Sequence, residues 1–232
     1  NIGTSVLCSQ YLGARMHKNM VQVVGVSLIL NLVFGLFVSA ILHYGATSLL
    51  SMMGLRPELM EYGVSYMEIV GAFAFFQAIS LTISASLRSA NKAVYPMMVT
   101  VVVNILNIIG NYSLIFGKFG MPALGVEGAA ISTAFARGVS MVILFVILFR
   151  KHIPRFPLSY FCPFPFVELK NLLKIGVPSA GENMSYSFSQ VVLTYFINML
   201  GNEALATRTY VVNIVMFVYL FAIAMAQGGA IC

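Results

Sequence analysis

Charge is scarce in this sequence: only 9% of its 232 residues are charged, against roughly 25% in soluble domains. Asp and Trp are missing altogether. So few ionic groups cannot clothe a water-facing surface, which argues against a soluble fold. Cysteine is equally sparse. Cys8, Cys162 and Cys232 lie far apart, with no C-x-x-C pair and no His at zinc-ligand spacing, so we expect free thiols, no disulfide framework and no metal site. Enzyme signatures are also wanting. His17, His43 and His152 fall in or near expected loops. No Ser or Cys elbow, Walker A motif or Gly-rich phosphate fingerprint accompanies them. The expectation is therefore neither an enzyme nor an ATP-driven pump, and no cofactor. The first residue is Asn1, without a charged n-region and cleavage site, so no signal peptide is visible and the chain reads as a fragment cut at both ends.

What is present is apolar: 59% of the residues are hydrophobic and the mean hydropathy is +0.91. A bilayer core about 30 Å thick needs about 20 mainly apolar residues per helix. After a helix end at about 1–14, such runs occupy about 21–43, 62–86, 95–116, 126–149, 172–199 and 205–230, predicting an all-α, polytopic transmembrane helix bundle. The net charge of +6 does not indicate nucleic acid, because the basic residues sit in short clusters between these runs. Every second connection is basic. Nine of the 13 Lys and Arg (Arg15, Lys18, Arg88, Lys92, Arg150, Lys151, Arg155, Lys170 and Lys174) fall on one side, which the positive-inside rule makes cytoplasmic. Connections near Pro57 and Lys118 are then external.

One connection differs from the rest. Between about 150 and 168, Pro154, Pro157, Pro163 and Pro165 alternate with Phe156, Tyr160, Phe161, Phe164 and Phe166, which predicts an extended linker at the membrane surface. It divides the chain into a first lobe at 1–149 and the start of a second at 169–232.

Charged groups in hydrocarbon cost about 2.5–3.5 kcal/mol, so those that occur usually face a cavity or a partner. Glu68, about two turns into its run, either reaches the interface or serves an ion. Arg137, near mid-span, either pairs structurally or meets substrate. Glu182 lies one turn after Pro178 and beside Gly181, where a disturbed helix either uses the carboxylate to satisfy its own backbone or exposes it as an ion or proton site. Polar stripes accompany these charges. Asn104, Asn107 and Asn111 repeat at i, i+3, i+7, and Glu182, Tyr186 and Gln190 at i, i+4, i+8. Each stripe faces protein or water, as helix-to-helix hydrogen bonds or as cavity lining. Asn183 stands beside the second. The 14 Met and 18 Phe suit an apolar, adaptable cavity, although most of them belong to lipid or core.

Several stretches resemble the multidrug and toxic compound extrusion (MATE) family. Gln10 to Ala14 is similar to the Q-x-x-G-A that ends that family's second helix, and Leu87-Arg88-Ser89 with Pro96 to its fourth-to-fifth connection. Asn107-x-x-x-Asn111, Leu114-Ile115-Phe116-Gly117 and Gly120 through Ala130 form the most specific match. Ile175 to Ser179 resembles the start of its seventh helix, and Leu200-Gly201 with Ala204 to Ala206 the following turn. The resemblance implies part of a two-lobe, twelve-helix transporter, covering the end of helix 2 through helix 8. It implies an antiporter of the plasma membrane, or of the inner membrane in a Gram-negative source, monomeric when complete. That antiporter would export amphipathic or cationic drugs across the lipid bilayer in exchange for Na⁺ or H⁺. An exporter of lipid-linked glycans is the alternative, and would need several basic residues in its cavity. Glu182 and Glu68 become the candidates for ion coupling. Asn107, Asn111, Arg137, Asn183, Tyr186 and Gln190 become the candidates for cavity lining. The family's best-known branch carries its acidic residue eight positions after the helix-7 proline, where this sequence has Tyr186, with Glu182 one turn earlier.

Overall fold

The computed structural model describes residues 2–52, 57–153, 164–199 and 202–229. Its elements follow the apolar runs: α1 (Ile2–Gly13), α2 (His17–Tyr44), a short α3 (Ala46–Met52), α4 (Pro57–Ala72), α5 (Ala74–Ser89), α6 (Val94–Phe116), α7 (Gly125–Ile147), α8 (Phe166–Met199) and α9 (Asn202–Gly229). A π-helical turn at Leu148–His152 prolongs α7. No strand occurs among the described residues, and the fold is all-α. The Pro- and aromatic-rich segment at 154–163 lies outside them, as does the turn at 53–56.

By length and composition α2, α6 and α7 with its extension can each cross a membrane, and α4 with α5 makes one further crossing bent by 46°. The bend falls at Phe73, inside the single run expected at 62–86. It is stabilised from the neighbouring helix: the buried Ser39 hydroxyl of α2 accepts the Phe75 N–H at 3.2 Å, satisfying a donor released where the helix is interrupted. The short α3 has no apolar run of its own length and was not expected. Helix α8 is long enough to cross, but Lys170, Lys174, Glu182 and its Asn and Ser residues dilute its apolar character. In α9 the continuous apolar stretch is Tyr210–Met225.

The chain forms two compact units, Gly3–Leu172 and Leu173–Cys232. In the first, α2 packs on α4 and α5, and α7 packs on α4, α5 and α6. Val23, Val24, Val26, Ile83, Leu87 and Leu148 are completely or almost completely buried there, interleaved with Ser27, Thr82 and Ser86. Small hydroxyl residues recur among the aliphatic ones because, between helices in lipid, close van der Waals contact and interhelical hydrogen bonds replace the hydrophobic effect. Thr4 of α1 donates to Ser27 of α2 at 2.9 Å in the same seam.

The α6–α7 hairpin explains the most distinctive sequence motif. Gly117 ends α6 at φ +64°, a left-handed conformation that glycine adopts without steric cost. The Leu124 N–H then donates to Leu114 O at 2.8 Å. A side chain at Gly128 would start 2.6 Å from that same carbonyl oxygen, so the two helices meet backbone to backbone. The outer face of α6 is apolar and open, with Ile105, Ile108 and Ile109 all exposed, as a lipid-facing helix requires.

Candidate functional site

Among the described residues, polar side chains gather in the α6–α7 pair and along α8, and an apolar cavity lies in the first unit. The first site lies in the α6–α7 pair. Asn111 Nδ2 donates to Asn107 Oδ1 at 3.0 Å, and Asn107 Nδ2 points to Thr133 Oγ1 at 3.4 Å. Ser132 Oγ donates to the Asn107 carbonyl at 3.2 Å, and Thr133 Oγ1 to Ala129 O at 2.9 Å. The structure thus brings together Asn107 and Asn111 from one side of the hairpin and Ser132 and Thr133 from the other. Asn111 Oδ1 is buried and accepts no hydrogen bond among the described residues. A buried amide oxygen left unpaired costs about 1–3 kcal/mol, so this oxygen is disposed to accept a donor or a cation. Asn104, the third member of the stripe, is exposed.

The cavity has a volume of about 550 Å³ and lies between α4, α5 and α7, lined by Phe73, Phe76, Ile131, Phe135, Gly138 and Met141 among others. Its wall is aromatic and aliphatic, able to take an apolar ring system but offering no hydrogen bonds. Of the abundant methionines, Met141 alone lines it among the described residues. Glu68 is half-buried on α4, next to the lining residue Ile69, and its backbone carbonyl lies 3.2 Å from His43 Nδ1. Arg137 is half-buried on α7, four residues after Thr133. Neither is joined to the amide pair by a hydrogen bond among the described residues.

The second polar site belongs to the second unit. Glu182, Asn183 and Tyr186 are exposed along α8, and Gln190 is half-buried. Asn183 Nδ2 is turned back onto its own helix, donating to Ser179 O at 2.8 Å. Pro178 lies inside α8, which continues as one helix to Met199. Gln190 is joined to a residue that the sequence reading overlooked: Arg208 of α9 donates through Nη2 to Gln190 Oε1 at 2.9 Å and through Nη1 to Thr194 Oγ1. Its signal was available. Arg208 stands inside the run at 205–230, with Tyr210–Met225 apolar beyond it.

A third polar cluster gathers at the end that carries Arg15, Arg88 and Arg150. Glu168, in the first turn of α8 and only 4% exposed, accepts from Tyr11 OH at 2.7 Å and from Asn19 Nδ2 at 2.8 Å. Reading 150–168 as linker hid this carboxylate, because α8 begins at Phe166. Nearby, burial, reinforced by Lys92, holds the His152 imidazole down at about 4, so it stays neutral at ordinary pH. No group of three His, Cys, Asp or Glu able to hold a metal occurs among the described residues.

The MatE family model matches residues 1–113 and 178–232. An uncharacterized transporter, YisQ, of Bacillus subtilis is 42% identical over 99% of this chain and 50% of its own length. A probable multidrug resistance protein, NorM, of Thermotoga maritima is 28% identical over 97% of this chain and 49% of its own. Among solved structures, a MOP superfamily transporter from Pyrococcus furiosus superposes with a TM-score of 0.88 at 26% identity, over 99% of this chain and 51% of that one. The chain spans about half the length of these relatives. The stretch that pairs α6 with α7, the all-α membrane architecture and these matches agree: the chain belongs to the MatE family of multi-pass membrane transporters.

Proposed function

We propose that this chain belongs to a secondary antiporter that exports amphipathic or cationic compounds across the plasma membrane in exchange for Na⁺ or H⁺. The observation that carries this reading is Glu182. Its carboxylate stands on an otherwise uncharged stretch of α8, eight residues beyond Lys174, and no basic side chain pairs with it among the described residues. A lone carboxylate at membrane depth is costly unless a cation accompanies it. Proton, Na⁺ and a drug cation compete for the same charge, because holding two of them would leave a net positive charge in a poorly solvating site. Competition of this kind couples exit of one to entry of another, provided the site opens to one side at a time. Within the first unit, the cavity of about 550 Å³ and the Asn107, Asn111 and Thr133 cluster offer apolar and hydrogen-bonding surface of the kind an amphipathic molecule uses.

An exporter of lipid-linked glycans would be expected to hold phosphates with several basic side chains. The described membrane-spanning residues offer Arg137 and Arg208, one in each unit. Cells producing the protein should extrude a panel of cationic dyes, with initial rates several-fold above control cells, and the rate should change when Na⁺ and external pH are varied separately. Dye retention equal to that of control cells under all these conditions refutes the reading.

A further inference from the structure

We infer that Arg208, with Gln190 and Thr194, forms a receptor for an anionic group, and that the α8 stripe in the second unit is therefore bipolar. On the export reading, which this inference deepens, the transported molecule carries a carboxylate for Arg208 as well as a positive centre for Glu182.

The argument begins with the direction of the side chain. At 1.5 Å per residue, Arg208 lies about 9 Å beyond the start of α9, and Thr194 and Gln190 lie about 7 Å and about 13 Å before the end of α8. An arginine so placed would ordinarily extend its guanidinium towards the nearer interface. This one instead bonds to Thr194 at its own level and to Gln190 one turn deeper. It is held inward by two acceptors, both neutral.

The second step concerns charge. A guanidinium has five N–H donors and no accessible neutral form. Two of the donors are used here, and no carboxylate pairs with Arg208 among the described side chains. Hydrogen bonds to an amide and a hydroxyl orient the fork but do not neutralise it. Thr194 is exposed and Arg208 half-buried, so the site remains open to a ligand. A carboxylate matches the remaining donors in bidentate geometry.

The third step is spacing. Gln190 and Glu182 are eight residues apart on α8, about 12 Å along the axis, with Tyr186 between them as an aromatic platform. An amphipath with an amine at one end and a carboxylate at the other, separated by a ring system, fits that distance.

The test uses the natural protein in phosphatidylcholine vesicles and three probes on one aromatic scaffold: the zwitterion, its methyl ester and its N-acylated acid. Wild type should bind the zwitterion at least tenfold more tightly than the ester. Arg208→Gln should raise the zwitterion Kd about tenfold, to the value of the ester, and leave the ester Kd unchanged, which also shows that the variant is folded. Arg208→Lys should retain part of the preference. Equal wild-type affinity for zwitterion and ester overturns the inference, as does equal weakening of both by Arg208→Gln. If Arg208→Gln binds neither, Arg208→Lys decides, and loss of preference there overturns it. Repeating the binding in phosphatidylglycerol vesicles separates a lipid headgroup from the substrate. If Arg208→Gln alters lipid association without altering zwitterion affinity, the guanidinium belongs to the headgroup and the inference fails. Arg208-dependent zwitterion binding without ion-driven export would sustain this site and refute the coupling proposed above, whereas binding of none of the probes refutes both.

Discussion

Replacing Glu182 by Gln should lower the initial rate of cationic-dye export at least tenfold and remove what dependence on Na⁺ and pH remains. The substitution keeps the length and much of the hydrogen bonding of the side chain while fixing it neutral. A carboxylate at membrane depth carries an insertion cost of about 2.5–3.5 kcal/mol, and about 1.4 kcal/mol corresponds to a factor of ten. A bound cation offsets part of that cost, and an attraction of only about 1.4 kcal/mol lost with the charge accounts for a tenfold fall. Protein level in the membrane should be unchanged, because Glu182 is exposed on α8 and makes no hydrogen bond among the described residues. Glu182→Asp, which keeps the charge on a shorter stem, should restore part of the rate and all of the ion dependence. Export by Glu182→Gln at the wild-type rate, with unaltered ion dependence, would reduce this carboxylate to a companion of the Pro178 backbone and leave Glu68 as the remaining candidate in this chain.

The second large effect belongs to stability. Glu168→Ala should lower the midpoint of thermal unfolding in detergent by about 5 °C or more. The carboxylate is buried and accepts hydrogen bonds from the half-buried Tyr11 and Asn19, so its removal takes the acceptor from two partly buried donors. Hydrogen bonds to charged groups contribute about 1.5–3 kcal/mol each, and in a chain of this size about 1 kcal/mol shifts the midpoint by about 2–4 °C. Glu168→Gln should cost less than half as much, because its carbonyl accepts one donor and its amide donates to the Tyr11 oxygen once that hydroxyl turns. Unfolding of Glu168→Ala at the wild-type midpoint would show that the cluster contributes nothing to the first unit.

Much of the fold was legible because lipid imposes a simple rule: each crossing needs a long apolar run, and charge collects between runs. The positions of α2, α6 and α7 follow from that rule, as does the hairpin after Gly117. The break at Phe73 did not, since it depends on Ser39 of a helix far away in sequence. Pro178 does not end its helix, since α8 continues as one element to Met199. In the candidate site, the stripe of Asn107 and Asn111 was visible from periodicity, but its partners Ser132 and Thr133 became identifiable only when α7 was laid against α6. Arg208 was visible as a charge inside an apolar run and was missed. Glu168 was hidden by placing the start of the helical run at about 172, six residues after α8 begins at Phe166, a boundary error that concealed a buried group.

The coupling of ion entry to export is the central claim, and purified natural protein in sealed vesicles tests it most directly. Cationic dye is placed on both sides at equal concentration, and an inward or outward gradient of Na⁺ or H⁺ is then imposed without ATP. The account predicts that dye moves against the direction of the ion gradient, reverses when the gradient is reversed, and stops when an ionophore dissipates it. Dye movement that is the same with, against and without both gradients would contradict it.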